Sequence, residues 1–333
     1  MPRAQRVTGQ DVARRAGVSR ATVSYVLNDV GGQTISADTR ARVLEAAAEL
    51  GYTPHAAARQ LRTGVSDLVL LALPPFPPSH AFSVCVNSFT RHLGELGYTA
   101  LVDPATERVD NLERTLARVQ PVALVASGEH LTEPLVTRLR AAGTRAAMAF
   151  ADRPLGFVPT VVFDNTAVTR VAMGHLAARG HHDVVALLPD DPAFAWFRVG
   201  REAGARETAA EHGMNLTVVD CPLDHDRITA VVTGILAAGA HPDALLAYND
   251  DYALLALRAL VDAGVRVPDD IAVIGCDNLP VAELFTPRLT TVDVDMAALG
   301  VLIADALHGI LCTGDEPAVV SVPTPVVVVR DSA

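Results

Sequence analysis

The spacing of apolar residues changes character about one-fifth of the way along this chain. Near the N-terminus it is helical. Val12, Ala13 and Ala16 share one face, Gly17 interrupts, and Val23, Val26 and Leu27 recur at i, i+3 and i+4. Ser19 is placed to cap the second helix. After the polar, Gly-rich stretch 29–34, Ser36 is an N-cap with Asp38 in the first turn, and Val43, Leu44, Ala47 and Leu50 give a third stripe ended by Gly51. Pro54 and Gly64 bracket a further helix of about nine residues. From Leu68 onward, short continuous apolar runs alternate with helical stretches: Leu68–Leu73, Thr99–Val102, Val122–Ala126, Ala146–Phe150, Val161–Phe163, Val184–Leu188, Leu216–Val219, Ala244–Tyr248 and Ile271–Gly275. Such strands predict parallel sheets covered on both faces. The length of this part exceeds one comfortable doubly wound unit, which predicts two α/β lobes with a cleft between them.

The three-helix pattern leaves Arg20, Ala21, Ser24 and Tyr25 outward on the second helix. An arginine and small polar groups on the first turn, behind a short Gly turn, suit a DNA major groove. An ordinary αα-hairpin has the same apolar pattern. The Pro54–Gly64 helix is too short to be stable alone in water, so it needs a second copy of itself, DNA, or a role as a plain linker.

Composition sharpens this picture. The chain of 333 residues carries a formal net charge of −11. That total hides a partition: residues 1–64 hold nine arginines against five acids, and residues 65–333 hold eighteen against thirty-three. A basic head on an acidic body is expected where only the head meets phosphates. Every basic residue apart from histidine is Arg, in the acidic body too, so the bias follows composition more than function. Cys85, Cys221, Cys276 and Cys312 lack metal-type spacing and read as reduced thiols. Neighbouring His181, His182 and Asp183 cannot easily share one ion, so neither metal nor cofactor is expected. No apolar run approaches the ~18 residues of a membrane span, and MPRAQRVTGQ has no leader-like core; a cytoplasmic protein with no membrane partner is expected.

The ordered motifs Asp11-Val12-Ala13, Ala16-Gly17-Val18-Ser19, Ala21-Thr22-Val23-Ser24, Leu50-Gly51-Tyr52 with Pro54, and Ala57-Ala58 with Leu61 continue into the body. There they are followed by Asp164-Asn165, Gly180-His181, Arg201 with Gly204, Asn249-Asp250, Val267-Pro268-Asp269-Asp270, Asp277 and Leu289-Thr290-Thr291-Val292. Over essentially its whole length the chain resembles the LacI/GalR family of bacterial transcription regulators. That resemblance implies an all-α helix-turn-helix DNA-binding head (1–52), a hinge helix and linker (53–64), and a two-lobed periplasmic-binding-protein-like effector domain (65–333). The lobes would be about 65–163 with 293–321, and about 164–292 with 322–333. Arg20, Ala21 and Tyr25 then stand where relatives discriminate operators. Ser19, Thr22, Ser24, Asn28, Ser36 and Thr39 stand at backbone contacts, with Tyr52, His55 and Ala58 also at the DNA. Leu61 matches the leucine wedged into the minor groove, or else packs against the other hinge helix. Arg201, Asn249 and Asp277 match cleft positions. Trp196 could stack on a sugar face or belong to the core, and Asp277 could instead cap a loop. Phe76 within Pro74-Pro75-Phe76-Pro77-Pro78 favours a more apolar effector than a hexose.

The implied protein is a dimeric repressor of a pseudo-palindromic operator, controlled by a sugar, glycoside or nucleoside-like effector. With no heptad-bearing tail, a dimer fits better than a tetramer. A transport-type solute-binding protein would share the body but lacks a reason for the head. An enzyme would need motifs such as GxxxxGK[ST] or a nucleophile elbow, which the sequence does not contain.

Overall fold

A computed structural model describes residues 7–27, 35–52, 66–73, 79–103, 109–238, 242–320 and 322–333. The hinge-helix segment and the sites expected at Asn28, His55, Ala58, Leu61 and Phe76 lie outside the described residues. The chain divides into two compact units, residues 1–66 and 67–333.

The first unit holds helices α1 (Gly9–Ala16), α2 (Arg20–Leu27) and α3 (Ala37–Glu49). A reciprocal capping box starts α1, in which the Thr8 amide and hydroxyl donate to Asp11 Oδ2 at 2.9 and 2.7 Å. Gly17 ends α1 at φ +67°, a left-handed conformation that costs glycine little. Ser19 and Ser36 cap α2 and α3 by accepting from the Thr22 and Thr39 amides at 3.0 and 3.3 Å, as the sequence predicts. Val12, Ala13, Ala16, Val23, Val26, Val43, Ala46 and Ala47 form the shared core. Leu44 is a correction: expected in the stripe, it is 49% exposed. The buried line of α3 runs through Val43, Ala46 and Ala47, and Leu44 lies about 100° around the helix from Val43.

The second unit begins with β1 (Leu68–Ala72), α4 (His80–Glu95), β2 (Thr99–Asp103), α5 (Val109–Val119), β3 (Ala123–Ser127), α6 (Glu133–Ala141), β4 (Ala146–Ala151) and β5 (Thr160–Val162). Then follow α7 (Asn165–Ala178), β6 (Asp183–Pro189), α8 (Ala195–His212), β7 (Asn215–Cys221), α9 (His225–Ala237), β8 (Ala244–Ala247), α10 (Asp250–Asp262), β9 (Ala272–Cys276) and β10 (Thr290–Asp293). Last come α11 (Met296–Thr313), β11 (Val319–Val320) and β12 (Val326–Val328).

Among the described residues these strands form two six-stranded sheets. The first, ordered β11-β5-β4-β3-β1-β2, is parallel throughout; the second, ordered β12-β10-β9-β8-β6-β7, is parallel except where β12 runs against β10. The chain passes between the lobes after β5, after β10 and after β11. Every residue of β3, β8 and β9 is buried, which explains their unbroken apolar runs. The nine expected strands form, within two residues at their ends. The apolar reading missed β10, β11 and β12, which are short and owe their pairing to partners distant in sequence.

Helix α11 corrects another expectation. Its mean hydropathy of 1.8 over 18 residues meets the length and apolarity of a membrane span. Here, however, Leu299, Ile303, Ala304, Leu307, Ile310 and Leu311 are buried, and the helix packs against α4, β4 and β11 as a core element. The approach to α4 is close: a Cβ on Gly300 would stand 2.8 Å from the Phe89 nitrogen.

Candidate DNA-facing helix and interlobe cleft

On α2, Arg20 and Ala21 are exposed, while Thr22, Ser24 and Tyr25 are partly buried. The caps give this surface its shape. The Ser19 and Thr22 hydroxyls lie 2.9 Å apart, and the Ser36 hydroxyl donates to Thr39 Oγ1 at the same distance. Two helix N-termini thus each present a paired set of hydroxyls. Tyr52 packs on the head core and its amide donates to the Ala47 carbonyl at 2.8 Å. A Cβ at Gly9 would stand 3.3 Å from the Tyr52 hydroxyl, so this ring holds the start of α1. Arg14, Arg15 and Arg42 pair with Asp11, Glu49 and Asp38; Arg20 takes no part in these pairs.

In the second unit, a cavity of about 660 Å³ opens between the lobes. It is walled by residues at the carboxyl ends of strands: Phe150 on β4, Phe163 after β5, Asp190 after β6, Tyr248 and Asn249 after β8, and Asp277 after β9. That edge is where open α/β sheets bind ligands. The start of α4 adds His80 and Phe82, and the start of α8 adds Phe197 and Arg201.

Arg201 reaches the cleft because α7 and α8 touch closely. A Cβ on Gly200 would stand 2.7 Å from the Asn165 Cβ, and one on Gly204 would run into the Thr166 carbonyl. Only 4% exposed, Arg201 donates to the Tyr248 carbonyl through one terminal nitrogen and to Asn165 Oδ1 through Nε at 3.4 Å. Its guanidinium carbon lies 4.6 Å from the centre of the Tyr248 ring, a cation–π contact. Burial opposes its charge, but the groups around it, Asp277 among them, raise its pKa and keep it protonated.

Asn249 caps α10, its Oδ1 accepting the Tyr252 amide at 3.2 Å. Asp277 stands at φ +100°, an uncommon conformation for a side-chain-bearing residue. Burial raises its carboxyl pKa, while Arg201, Cys276 and Asn249 pull it down. The loop that carries Asp277 is held by Asp250, whose Oδ2 accepts the Leu279 amide at 2.7 Å and whose Oδ1 accepts the Thr291 hydroxyl at 2.5 Å. Burial pushes Asp250 up to about 7 against these bonds. Asp251 is likewise raised by burial and by Asp277, and lowered by His80 of the other lobe.

Arg201, Asn249 and Asp277 therefore converge. Trp196 does not line this cavity. On α8, Phe197 and Arg201 share a face at i and i+4, and Trp196 is turned to the side. It lies edge-on to Phe150 of the other lobe at 5.4 Å and 4.4 Å from Phe197.

This combination, a three-helix head followed by two parallel-sheet lobes, matches known proteins along its length. A profile of bacterial regulatory proteins of the lacI family matches residues 8–55, and a periplasmic binding protein-like domain matches residues 173–333. The transcriptional repressor PurR of Salmonella newport (strain SL254) is 30% identical over 305 residues, covering 88% of this chain and 87% of that protein. The chain belongs to the lacI family.

Other lacI-family relatives agree. The transcriptional regulator DegA of Bacillus subtilis (strain 168) is 28% identical over 310 residues, covering 89% of this chain and 88% of its own. The lac repressor dimer, solved bound to operator and the anti-inducer ONPF, superposes with a TM-score of 0.80 at 27% identity, covering 98% of this chain and 99% of that one. The regulator CelR in complex with cellobiose gives 0.67 at 28% identity, covering 98% and 100%. Within this lacI-family body, sequence reasoning missed Phe82, Phe163, Phe197, Tyr248, Asp190 and Asp251 as cleft residues. Two signals were available: Asp190, Tyr248 and Phe163 sit at predicted strand ends, and Phe197 precedes Arg201 by one helical turn.

Proposed function

We propose that this chain is a sequence-specific DNA-binding regulator, a repressor acting as a homodimer, whose operator affinity is set by a small molecule in the interlobe cleft. It binds its ligand without turning it over and works in the cytoplasm. The observation that carries this reading is the joining, in one chain, of an exposed Arg20 and Ala21 on a capped second helix with a 660 Å³ cleft at the strand ends of the body. Relatives that bind operator, cellobiose or ONPF support it.

In this reading Arg20 donates to guanine N7 and O6, Ala21 packs on a thymine methyl, and Tyr25 meets a base edge or phosphate. Ser19, Thr22, Ser24, Ser36, Thr39 and Tyr52 set the register on the backbone, with Asn28, His55, Ala58 and Leu61 completing the set. Arg201, Asn249 and Asp277 hold the effector's polar groups, with Phe76 and the aromatic walls against its apolar face. Residues 53–64 couple head to body. An effector that prefers one lobe arrangement shifts operator affinity by its differential binding to the two, typically ~1–3 kcal/mol.

The test is a gel-shift and footprinting series on genomic fragments at moderate salt, repeated with sugars, glycosides and nucleosides. A protected pseudo-palindrome whose occupancy changes with one compound is expected. Absence of any protected palindrome, or turnover of a compound by the pure protein, overturns the reading.

A further inference from the structure

Both lobes bring rings to the cleft, Phe82, Phe150 and Phe163 from the first and Phe197, Tyr248 and Tyr252 among those from the second. Behind Phe82 and Phe150 lies a side cavity of about 40 Å³, walled by Leu71, Val86, Val125 and Ile303. That exceeds the ~10–15 Å³ one water requires, but with only Ser127 and the weakly polar Cys85 thiol among its described lining a water there would lack partners. It suits a ring edge or a short alkyl group.

The second lobe adds acceptors to its rings. Asp190, Asp191, Asp251 and Asp277 line the cleft, against one arginine and His80 among the described residues. That arginine is already engaged. Arg201 is buried, two of its nitrogens donate to Tyr248 and Asn165, its face lies over the Tyr248 ring, and Asp277 shares its field. Two of its three nitrogens are committed, so it offers a ligand carboxylate or phosphate less than its full fork, while the remaining carboxylates repel one.

We propose that the cleft is built for an amphiphile: the edge of an aryl ring or a short alkyl group reaching into the side cavity behind Phe82 and Phe150, and a donor-rich head without negative charge against the Asp251 and Asp277 carboxylates. This rests on the reading of the cleft as an effector site and narrows it. A fully hydroxylated hexose can set a C–H face against these rings but leaves the side cavity unfilled, since a hydroxyl there lacks partners, which disfavours it against an amphiphile. A phosphorylated or acidic compound is disfavoured by charge.

Three aryl probes of similar size and different charge test this: benzyl alcohol, benzylamine and benzoate. Each is titrated into the full chain with labelled Leu, Val and Ile methyl groups. The alcohol and the amine are expected to shift the methyls of Leu71, Val86, Val125 and Ile303, with benzoate at least about tenfold weaker. Asp251→Asn should narrow that gap, and Val86→Phe, which fills the side cavity, should remove the shifts at the other three residues. Benzoate binding as tightly as benzylamine overturns the proposal, as do shifts confined to the outer surface or absent with all three probes. The wild-type charge series stands even if Val86→Phe fails to fold. Operator binding is scored separately on genomic fragments, so the regulator reading and this proposal can fail independently.

Discussion

Replacing Gly200 with alanine should loosen the body and blunt the cleft together. An added Cβ would stand 2.7 Å from the Asn165 Cβ, where ordinary contact begins at 3.4 Å, so α7 and α8 must part by most of an ångström. A gap of ~0.5–1 Å forfeits a quarter to a half of each dispersion contact along that seam. Overpacking of this kind costs ~1–3 kcal/mol, and alanine's better helix propensity returns ~1 kcal/mol, leaving a net loss of about 0–2 kcal/mol. Gly204→Ala should cost more, because its Cβ meets the Thr166 carbonyl, which is backbone and cannot swing away. Gly234→Ala on α9 is the internal control. Nothing lies within 4 Å of its added Cβ, so it should stabilise by up to ~1 kcal/mol through propensity alone. Thermal unfolding of the three variants should therefore rank Gly234→Ala above wild type, then Gly200→Ala, then Gly204→Ala, with spacings of roughly 2–4 °C per kcal/mol. Parting the helices also pulls Asn165 from Arg201 Nε, so the Gly200 variant should bind any cleft ligand more weakly. If Gly200→Ala melts as high as Gly234→Ala, the account of how Arg201 is positioned is wrong.

Arg20→Met should weaken binding to the cognate operator by ~1–3 kcal/mol, about five- to 150-fold, at fixed salt; an unchanged footprint affinity would show that Arg20 reads no base. Arg201→Met leaves the Tyr248 carbonyl and Asn165 Oδ1 without their donor and should abolish ligand-dependent change in gel shifts while unliganded operator binding persists. Asp250 sets a pH dependence with a definite sign. Its carboxyl is raised from 3.8 to about 7, first by burial, so between those values the folded chain holds a proton that the unfolded chain has lost. Its contribution to stability is fully present below pH ~4 and declines as pH rises towards 7. Urea titrations from pH 4 to 7 should show a smaller decline in Asp250→Asn than in wild type; an equal slope would refute the assignment.

Much of this architecture is written locally. The caps at Ser19 and Ser36, the left-handed turn at Gly17 and the buried stripes of α1 and α2 depend on neighbours within a turn or two, where side-chain chemistry acts directly on the backbone. The parallel sheets are legible for a related reason: strands buried on both faces must be continuously apolar. Charge partition along the chain separates a basic head from an acidic body before any packing is known.

What the sequence could not decide is whatever depends on elements meeting across long separations. The edge strands β11 and β12 exist because β5 and β10 are there to pair with them. Leu44 and α11 are apolar enough for other environments, and packing against particular neighbours settles that one is exposed and the other a core helix. Arg201, Asn249 and Asp277 could be named from motif alone, but not that Arg201 is already bound to Tyr248 and Asn165, nor that Phe197 rather than Trp196 faces the cavity. Those outcomes follow from two helices drawn together at Gly200 and Gly204, and from strand ends brought side by side by the sheet. The parts and their order are written along the chain; which side chains face the cleft, and which of their bonds remain open, is set by packing.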